Sequence, residues 1–361
     1  MSEILDQGLS ANEDILPYTN DEKTISYSNT VDIVLSPVCR NQCGYCAFSK
    51  KDYDLLVPYA TIKIFKAARK DGAREANIVA GERPDHFHSI RAKFDVWGFN
   101  SYVEYIYTIA ELAFLEGLLV NLNVGYLSVN ELKYLQDIVS TVEMCLEVYD
   151  KEFIKEHLHK NSPSKDPEIR IKFIENAGRL NFPLNSGILI GVGETPEQRM
   201  KTLVKIRELH EEYGHIQMVK INTFHPSDDV APELKKLGGV TKETLLETIQ
   251  LAREILPAEV DITVPINIHP EILEFIDHGI RDLGQIRVYG KDSLFPEYPF
   301  KKVEEYQKEV EDHGYKLFKR LPITNSFIAA QKYSKKLGQF LDKYKTRLKE
   351  NVREDKFTLV L

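Results

Sequence analysis

Three of the four cysteines in this 361-residue chain, Cys39, Cys43 and Cys46, fall within the segment CRNQCGYC. Thiolates at the spacing C-x3-C-x2-C can each hold one iron of a cubane cluster, which takes four external ligands. Three cysteines in one tight loop cap three irons of a [4Fe–4S] cube and leave the fourth open to a small molecule. The same thiols could instead hold zinc, which would want a further Cys or His close by; His86 and His88 stand some 40 residues further along. Cys145, in the apolar TVEMCLEV, reads as a small buried hydrophobe and not as a fourth ligand. Clustered thiols suit a reducing compartment, where a metal or cluster is a commoner fate than a disulfide.

Other reactive side chains stand where apolar, β-rich runs stop. Gly81 and Glu82 end EANIVAGE, Glu147 falls near the end of VEMCLEVY, and Gly191 to Glu194 end SGILIGVGE. His225 and His269 follow the runs MVKINTF and DITVP, where a proton acceptor would be useful. Eight strands are expected, beginning near Val31, Glu75, Leu118, Val142, Ser186, Met218, Asp261 and Gln285. Most are continuous apolar stretches, as parallel strands buried on both faces require. Helical patterns lie between them, over Pro58–Asp71, Ser101–Glu116, Pro167–Leu180, Pro196–Tyr213 and Lys242–Ile255. Thr195-Pro196-Glu197 opens one with a capping hydroxyl and a first-turn proline. Strand–helix alternation implies parallel pairing through right-handed crossovers. Eight units predict a single (β/α)8 TIM-type barrel, with an open doubly wound sheet as the alternative. The loops after barrel strands share one mouth, so the cysteine loop, Glu82, Glu147 and Glu194 are expected to converge.

With 47 Lys+Arg against 55 Asp+Glu the formal net charge is −8, and no basic block is present, which argues against nucleic acid as a partner. No apolar run reaches the roughly 18–20 residues that span a bilayer. The start MSEILDQGLSANEDILPY lacks the apolar core of a signal peptide. A cytoplasmic protein with no membrane association is therefore expected. Residues 1–23 read as an N-terminal extension, 24–300 as the barrel, and 301–361 as a Lys/Glu-rich helical segment closing it.

The cysteine loop, with Tyr45 before its last cysteine, resembles the defining loop of the radical S-adenosylmethionine (SAM) superfamily. The resemblance implies that the open iron chelates the amino and carboxylate groups of SAM, whose reductive cleavage gives methionine and a 5′-deoxyadenosyl radical. It implies an external one-electron donor as well. Other segments are similar to the superfamily's SAM contacts. Gly81-Glu82 resembles the motif that meets the SAM amino group, and Glu147 the acidic residue that holds the ribose hydroxyls. Arg170, in KDPEIRIKFIENAG, resembles an arginine that pairs with the SAM carboxylate. Gly187, Ile188, Gly191 and Glu194, in GILIGVGE, resemble the element around adenine.

More narrowly, ISYSNTVDIVLSPVCRNQCGYCAF, AGERPD, NSPSKDPEIRIKFIENAGRL, SGILIGVGETPEQR and EYGHIQ follow one another as in the family of FO synthase subunit 1, the 7,8-didemethyl-8-hydroxy-5-deazariboflavin synthases of coenzyme F-420 biosynthesis. That resemblance covers about Ile25 to Phe300. It implies ring closure of 5-amino-5-(4-hydroxybenzyl)-6-(D-ribitylimino)-5,6-dihydrouracil with loss of ammonia, as a carbon–nitrogen lyase, and a functional partner in FO synthase subunit 2. The chain departs from the family's pattern at Asn222 to Ser227, at Gly279 to Gln285 and at Phe295 to Pro299. These segments are expected on the substrate side, so a related enzyme with another substrate is the alternative. Asp282 keeps an acidic position there and is expected to orient a ribityl or uracil group. A non-catalytic iron–sulfur or zinc protein is the reading from another class, and it leaves the other groups at the mouth without a role.

Overall fold

The apolar runs become strands and the amphipathic stretches helices in the computed structural model, which describes residues 23–46, 48, 55–153, 158–226, 230, 232–339 and 341. The strands are β1 (Thr24–Val34), β2 (Glu75–Val79), β3 (Leu119–Asn123), β4 (Thr141–Glu143), β5 (Leu184–Ile190), β6 (Ile216–Thr223), β7 (Asp261–Thr263), β8 (Asp282–Tyr289) and β9 (Lys316–Lys319). The principal helices are α1 (Pro58–Lys70), α2 (His88–Trp97), α3 (Tyr102–Leu115), α4 (Val129–Leu135), α5 (Pro167–Arg179), α6 (Pro196–Tyr213), α7 (Lys242–Ile255), α8 (Ile272–Asp277) and α9 (Val303–Asp312). Helix α6 starts where its signals stand. The Thr195 hydroxyl accepts from the Gln198 amide, Gln198 returns the bond, and Pro196 fills the first turn.

The strands pair parallel in the order β7-β6-β5-β4-β3-β2-β1-β8, with β9 added to β1. The sheet curls almost into the expected (β/α)8 barrel, leaving a seam between β7 and β8 that carries no backbone ladder among the described residues. Strand alternation sends Ile33, Ile78, Val120, Ile188 and Ile262 toward the helices, each at most 1% exposed. Each such side chain contributes about 1.5–3 kcal/mol by leaving water. The inner face is polar. Amide bonds run across it from Gln217 to Asn185 (3.0 Å), Asn185 to Asn121 (3.2 Å), Asn121 to Asn77 (2.9 Å) and Asn77 to Asp32 (2.8 Å). Such a core holds its layers by hydrogen bonds where most barrels use Val, Ile and Leu.

Two expectations change. The segment 301–361 is not helical throughout: after α9 it supplies β9, which pairs with the first residues of β1. Residues 1–22 of the expected extension, Ser227, and 342–361 lie outside the described residues. The second change concerns Asp282. Strand β8 begins there, three residues before the expected start, so Asp282 pairs with Ser26 near the start of β1, at the barrel floor. Its carboxylate is fully buried and accepts from Arg320 Nη2 (2.8 Å), Arg320 Nε, the Ser26 hydroxyl and the Gly284 amide (2.6 Å). A residue at the first position of a barrel strand faces away from the mouth, so Asp282 does not orient a substrate group there.

Candidate active site

Cys39 follows β1 on a turn pressed against the exit of β2. The Gly81 amide donates to Ser36 O (2.8 Å), and a Cβ on Gly81 would stand 2.2 Å from Val38 O, so glycine alone fits. Cys39 Sγ accepts from the amides of Glu82 (3.1 Å) and Asn41 (3.4 Å), and Cys46 Sγ from that of Phe48 (3.4 Å). On its far side the loop is tied to the segment before α5. Gln42 N donates to Asn161 O (3.2 Å) and Gly44 N to Leu158 O (3.0 Å), while Cys43 Sγ meets the Ser162 hydroxyl at 3.4 Å.

Among the described residues no three His, Cys, Asp or Glu side chains converge as a single-ion site requires. Thiols on one loop, with N–H donors aimed at sulfur, fit the separate corners of a cubane. Burial pushes the Cys39 thiol up and takes Cys46 to about 12. Ligation to iron is what would deprotonate them.

A knot of charge stands beside this loop. Glu147 lies beyond β4, bridged to Ile188 of β5, with a left-handed backbone (φ 66°) that costs a non-glycine residue about 1–2 kcal/mol. Its carboxylate holds Lys165 Nζ at 2.6 Å and Arg170 Nη2 at 3.1 Å. Burial would raise the Glu147 pKa, but Lys165 and Arg170 outweigh it and hold the group at about 2. Arg170 is 5% exposed and also donates from Nε to Cys145 O, so it points inward from α5. Lys165 lies over the Tyr45 ring at 5.7 Å, and the Tyr45 hydroxyl meets His159 Nε2 at 3.0 Å. Burial, with Lys165 adding to it, drops His159 to about 3, so the imidazole is neutral.

Glu82 does not offer a bare carboxylate. It pairs with Arg40 Nη2 (2.7 Å) and accepts from the Ser164 hydroxyl and the Tyr126 amide (3.1 Å). These partners hold its pKa below the usual carboxylate value against the opposing effect of burial. Glu194 likewise closes its own loop, accepting from Gly191 N (3.0 Å) and Val192 N (2.9 Å) and pairing with Arg199 Nε (3.2 Å). Those two amides are therefore not available to a nucleobase.

Ile188 requires a correction. The α-carbon of Gly187 looks toward Cys145 Sγ and Asn222 Nδ2, so Ile188 takes the opposite face of β5 and joins the helix-side core. The neighbour that shares the inner face is Leu189. It packs with Val148, Val192 and Phe224, and Tyr45 rests against the same cluster. Cys145 is also not simple apolar filling, because its Sγ accepts from Asn222 Nδ2 (3.3 Å) inside the barrel.

His225 and His269 stand beyond the ends of β6 and β7. His225 Nε2 meets the Tyr298 hydroxyl at 2.7 Å, and His269 Nε2 meets the Thr223 hydroxyl at 2.9 Å. Burial lowers the His269 pKa, which favours its neutral form. Sequence reasoning did not single out Lys165, Ser164, His159, Arg40 or Leu189. Lys165 and Ser164 do lie in the quoted segment NSPSKDPEIR, just ahead of Asp166, which caps α5.

A three-thiol loop at the C-terminal mouth of a parallel barrel is the layout of a radical SAM protein, and a model described as the Radical SAM superfamily matches residues 33–206. Among curated proteins, the chain is 35% identical over 312 residues to "7,8-didemethyl-8-hydroxy-5-deazariboflavin synthase" of Methanococcus aeolicus, covering 86% of this chain and 87% of the relative. To the protein of that name from Archaeoglobus fulgidus it is 36% identical over 323 residues, covering 89% and 97%. The chain belongs to this 7,8-didemethyl-8-hydroxy-5-deazariboflavin synthase family. Among solved structures, the [FeFe]-hydrogenase maturase HydG matches with a TM-score of 0.69 at 14% identity, covering 94% of this chain and 73% of that one. Methylornithine synthase matches with a TM-score of 0.61 at 16% identity, covering 91% and 88%. These two likenesses describe the fold. No helix among the described residues is long and apolar enough to cross a membrane.

Proposed function

We propose that this protein forms 7,8-didemethyl-8-hydroxy-5-deazariboflavin from 5-amino-5-(4-hydroxybenzyl)-6-(D-ribitylimino)-5,6-dihydrouracil as a radical SAM carbon–nitrogen lyase, releasing ammonia. The observation that carries this reading is the cysteine loop seated between Gly81-Glu82 and the Glu147–Lys165–Arg170 knot, in a chain 35% identical to a synthase of that name across most of both lengths. Cys39, Cys43 and Cys46 would hold three irons of a [4Fe–4S] cluster, and SAM would occupy the fourth. Bound there, the cluster and SAM would supply the one-electron chemistry that generates a hydrogen-abstracting radical.

The chain's own groups supply the rest. Glu147 brings one negative charge against the two positive charges of Lys165 and Arg170, so the knot carries a net positive charge suited to an incoming carboxylate. The Leu189 cluster supplies an apolar wall for a nucleobase, and Glu194 fixes the loop over it. His269, held neutral, and His225 stand where a proton could be accepted as ammonia leaves. FO synthase subunit 2 would provide the substrate, and an external donor would provide the electron.

The test is anaerobic reconstitution with iron and sulfide, then reduction in the presence of SAM and the tyrosine–diaminouracil adduct. Mass spectrometry should show 5′-deoxyadenosine together with a fluorescent deazaflavin. Deoxyadenosine without deazaflavin would reject the substrate and keep the radical chemistry; neither product would reject both.

A further inference from the structure

At the floor, on the end of the barrel away from the cysteine loop, a cavity of about 600 Å³ lies beneath the seam between β7 and β8. Asp261, the first residue of β7, and Arg281, just ahead of β8, line it, and Arg253 reaches it from α7. The stem of Arg253 passes under Gly279, where a Cβ would stand 3.0 Å from its Cγ. Burial lowers the Arg253 pKa, and the neighbouring Arg281 charge adds to that against the pull of Asp261.

The charges of this lining do not all cancel in pairs. Arg320 is committed to Asp282. Arg253 and Arg281 make no ion pair among the described residues. Arg253 donates to the main-chain oxygens of Val260 (3.1 Å), Leu256 (2.9 Å) and Pro257, and Arg281 Nη1 to those of Ile276 and Ile280, both at 2.8 Å. Arg281 Nε and Nη2 donate to no acceptor among the described residues, and the guanidinium lies over the Tyr315 ring at 5.8 Å. Asp261 likewise takes no hydrogen bond or ion pair among them. Burial and then Asp282 push its carboxyl up to about 7, against Arg320 and Arg253, so close to neutral pH half of it is in the acid form, which can donate. The other acid is Glu259, more than half exposed and 3.6 Å from His210 Nε2. With Asp261 protonated, two unpaired arginines face one exposed carboxylate.

We propose that this cavity is a binding site separate from the mouth, which takes the phosphate group of a small organic molecule between Arg253 and Arg281, with the Asp261 carboxyl donating to it. Planar guanidinium N–H groups match phosphate oxygens in geometry as well as charge. The Thr324 and Ser326 hydroxyls line the same space and are bonded to each other at 3.1 Å; one O–H is spent there and the second remains for the ligand. The volume exceeds what inorganic phosphate fills and suits an organic ligand, for which pockets run to about 300–1,000 Å³, and Phe318 gives it an apolar side. Arg281 stands in a segment, Gly279 to Gln285, where the chain departs from its family's pattern. The proposal does not depend on the radical SAM reading.

The test is equilibrium binding to the reconstituted protein under anaerobic conditions without reductant, so that SAM is not consumed. The probes are ribose 5-phosphate, ribose and sulfate. Ribose 5-phosphate should bind at least ~10-fold more tightly than ribose, through charge-assisted bonds that the free sugar lacks. Sulfate keeps its charge across the range, and its affinity should fall about 5–10-fold between pH 6 and pH 8 as the acid form of Asp261 is depleted. Asp261→Asn keeps a donor at every pH and should remove that dependence. Arg281→Ala should weaken both anions by about 10–100-fold, and Arg281→Lys by less, with a melting curve showing that each variant is folded. Saturating SAM should leave sulfate affinity unchanged, which separates this site from the positive knot at the mouth. Equal binding of ribose and its phosphate overturns the proposal, as does wild-type anion affinity in Arg281→Ala. Displacement of sulfate by SAM, or a pH-independent sulfate affinity in the wild type, overturns it as well.

Discussion

The two ends of the barrel each bury a carboxylate against arginine, and they use it differently. At the floor, Asp282 is enclosed: Arg320 grips it with two nitrogens and the Ser26 hydroxyl and Gly284 amide complete its shell. At the mouth, Glu147 faces two cations, Lys165 and Arg170, beside a neutral His159. One network closes on itself, and the other keeps positive charge in reserve. A closed pair holds strands together; a surplus of one sign in a concave site is a place for a ligand.

That contrast can be broken most directly at the cysteines. Cys43→Ala should abolish iron and sulfide incorporation and all SAM cleavage, as read by metal analysis and 5′-deoxyadenosine; full cleavage would remove the cluster assignment. The two acids should then separate. Glu147→Gln removes the carboxylate that pairs with two buried cations and, by the family resemblance, meets the ribose hydroxyls. It should weaken SAM binding by ~30-fold, or about 2 kcal/mol, and lower the unfolding midpoint as well. Asp282→Asn should cost about 3 kcal/mol in stability by stranding Arg320, while the folded fraction cleaves SAM at the wild-type rate. Loss of SAM affinity in the floor variant, with stability intact, would invert the comparison.

Titration sharpens the same contrast. Glu147 sits at about 2 in the fold against an ordinary 4.5, so its stabilisation is complete above 4.5 and disappears as pH falls toward 2. At the floor, burial and then the neighbouring Asp282 carboxylate push Asp261 from 3.8 up to about 7. A raised acid contributes stability below its unfolded value and loses it as pH climbs, so Asp261 favours the fold below 3.8 and stops helping by about 7. Asp261→Asn should raise the melting temperature at pH 8 relative to wild type, with the gain gone near pH 4; a pH-independent difference would refute the raised pKa. The smallest effect belongs to Cys145→Ala, which removes a half-buried thiol bonded to Asn222. It should lower stability modestly and leave iron content unchanged.

The mouth was more legible than the floor, and the residues show why. Cysteines at fixed spacing on one loop announce themselves, because ligand geometry is local in the chain. Glu147 and Arg170 are 23 residues apart and are linked by their ion pair, which only the fold reveals. Lys165 reaches Glu147 through a short turn ahead of α5 that carries no periodic signal. For Ile188 and Leu189 the strand was evident but its phase was not. Parity with Gly187, which cannot bear a Cβ beside Lys220 O, identifies Leu189 as the inner residue. Asp282 shows the opposite limit: a strand start misplaced by three residues was enough to exchange one end of the barrel for the other.

The long first strand has a consequence for how this molecule is made. Ser26 is bonded to a carboxylate 256 residues later, and Thr24 pairs with Lys316 of β9. At translation rates of about 5–20 residues per second, β1 waits roughly 15–60 s for its last neighbour, β9, to be synthesised. During that interval one edge of β1, with Ile25 and Tyr27 beside it, has no ladder partner. Nascent chains stalled before β8 would therefore expose a bare strand edge to one another, the geometry that seeds intermolecular pairing.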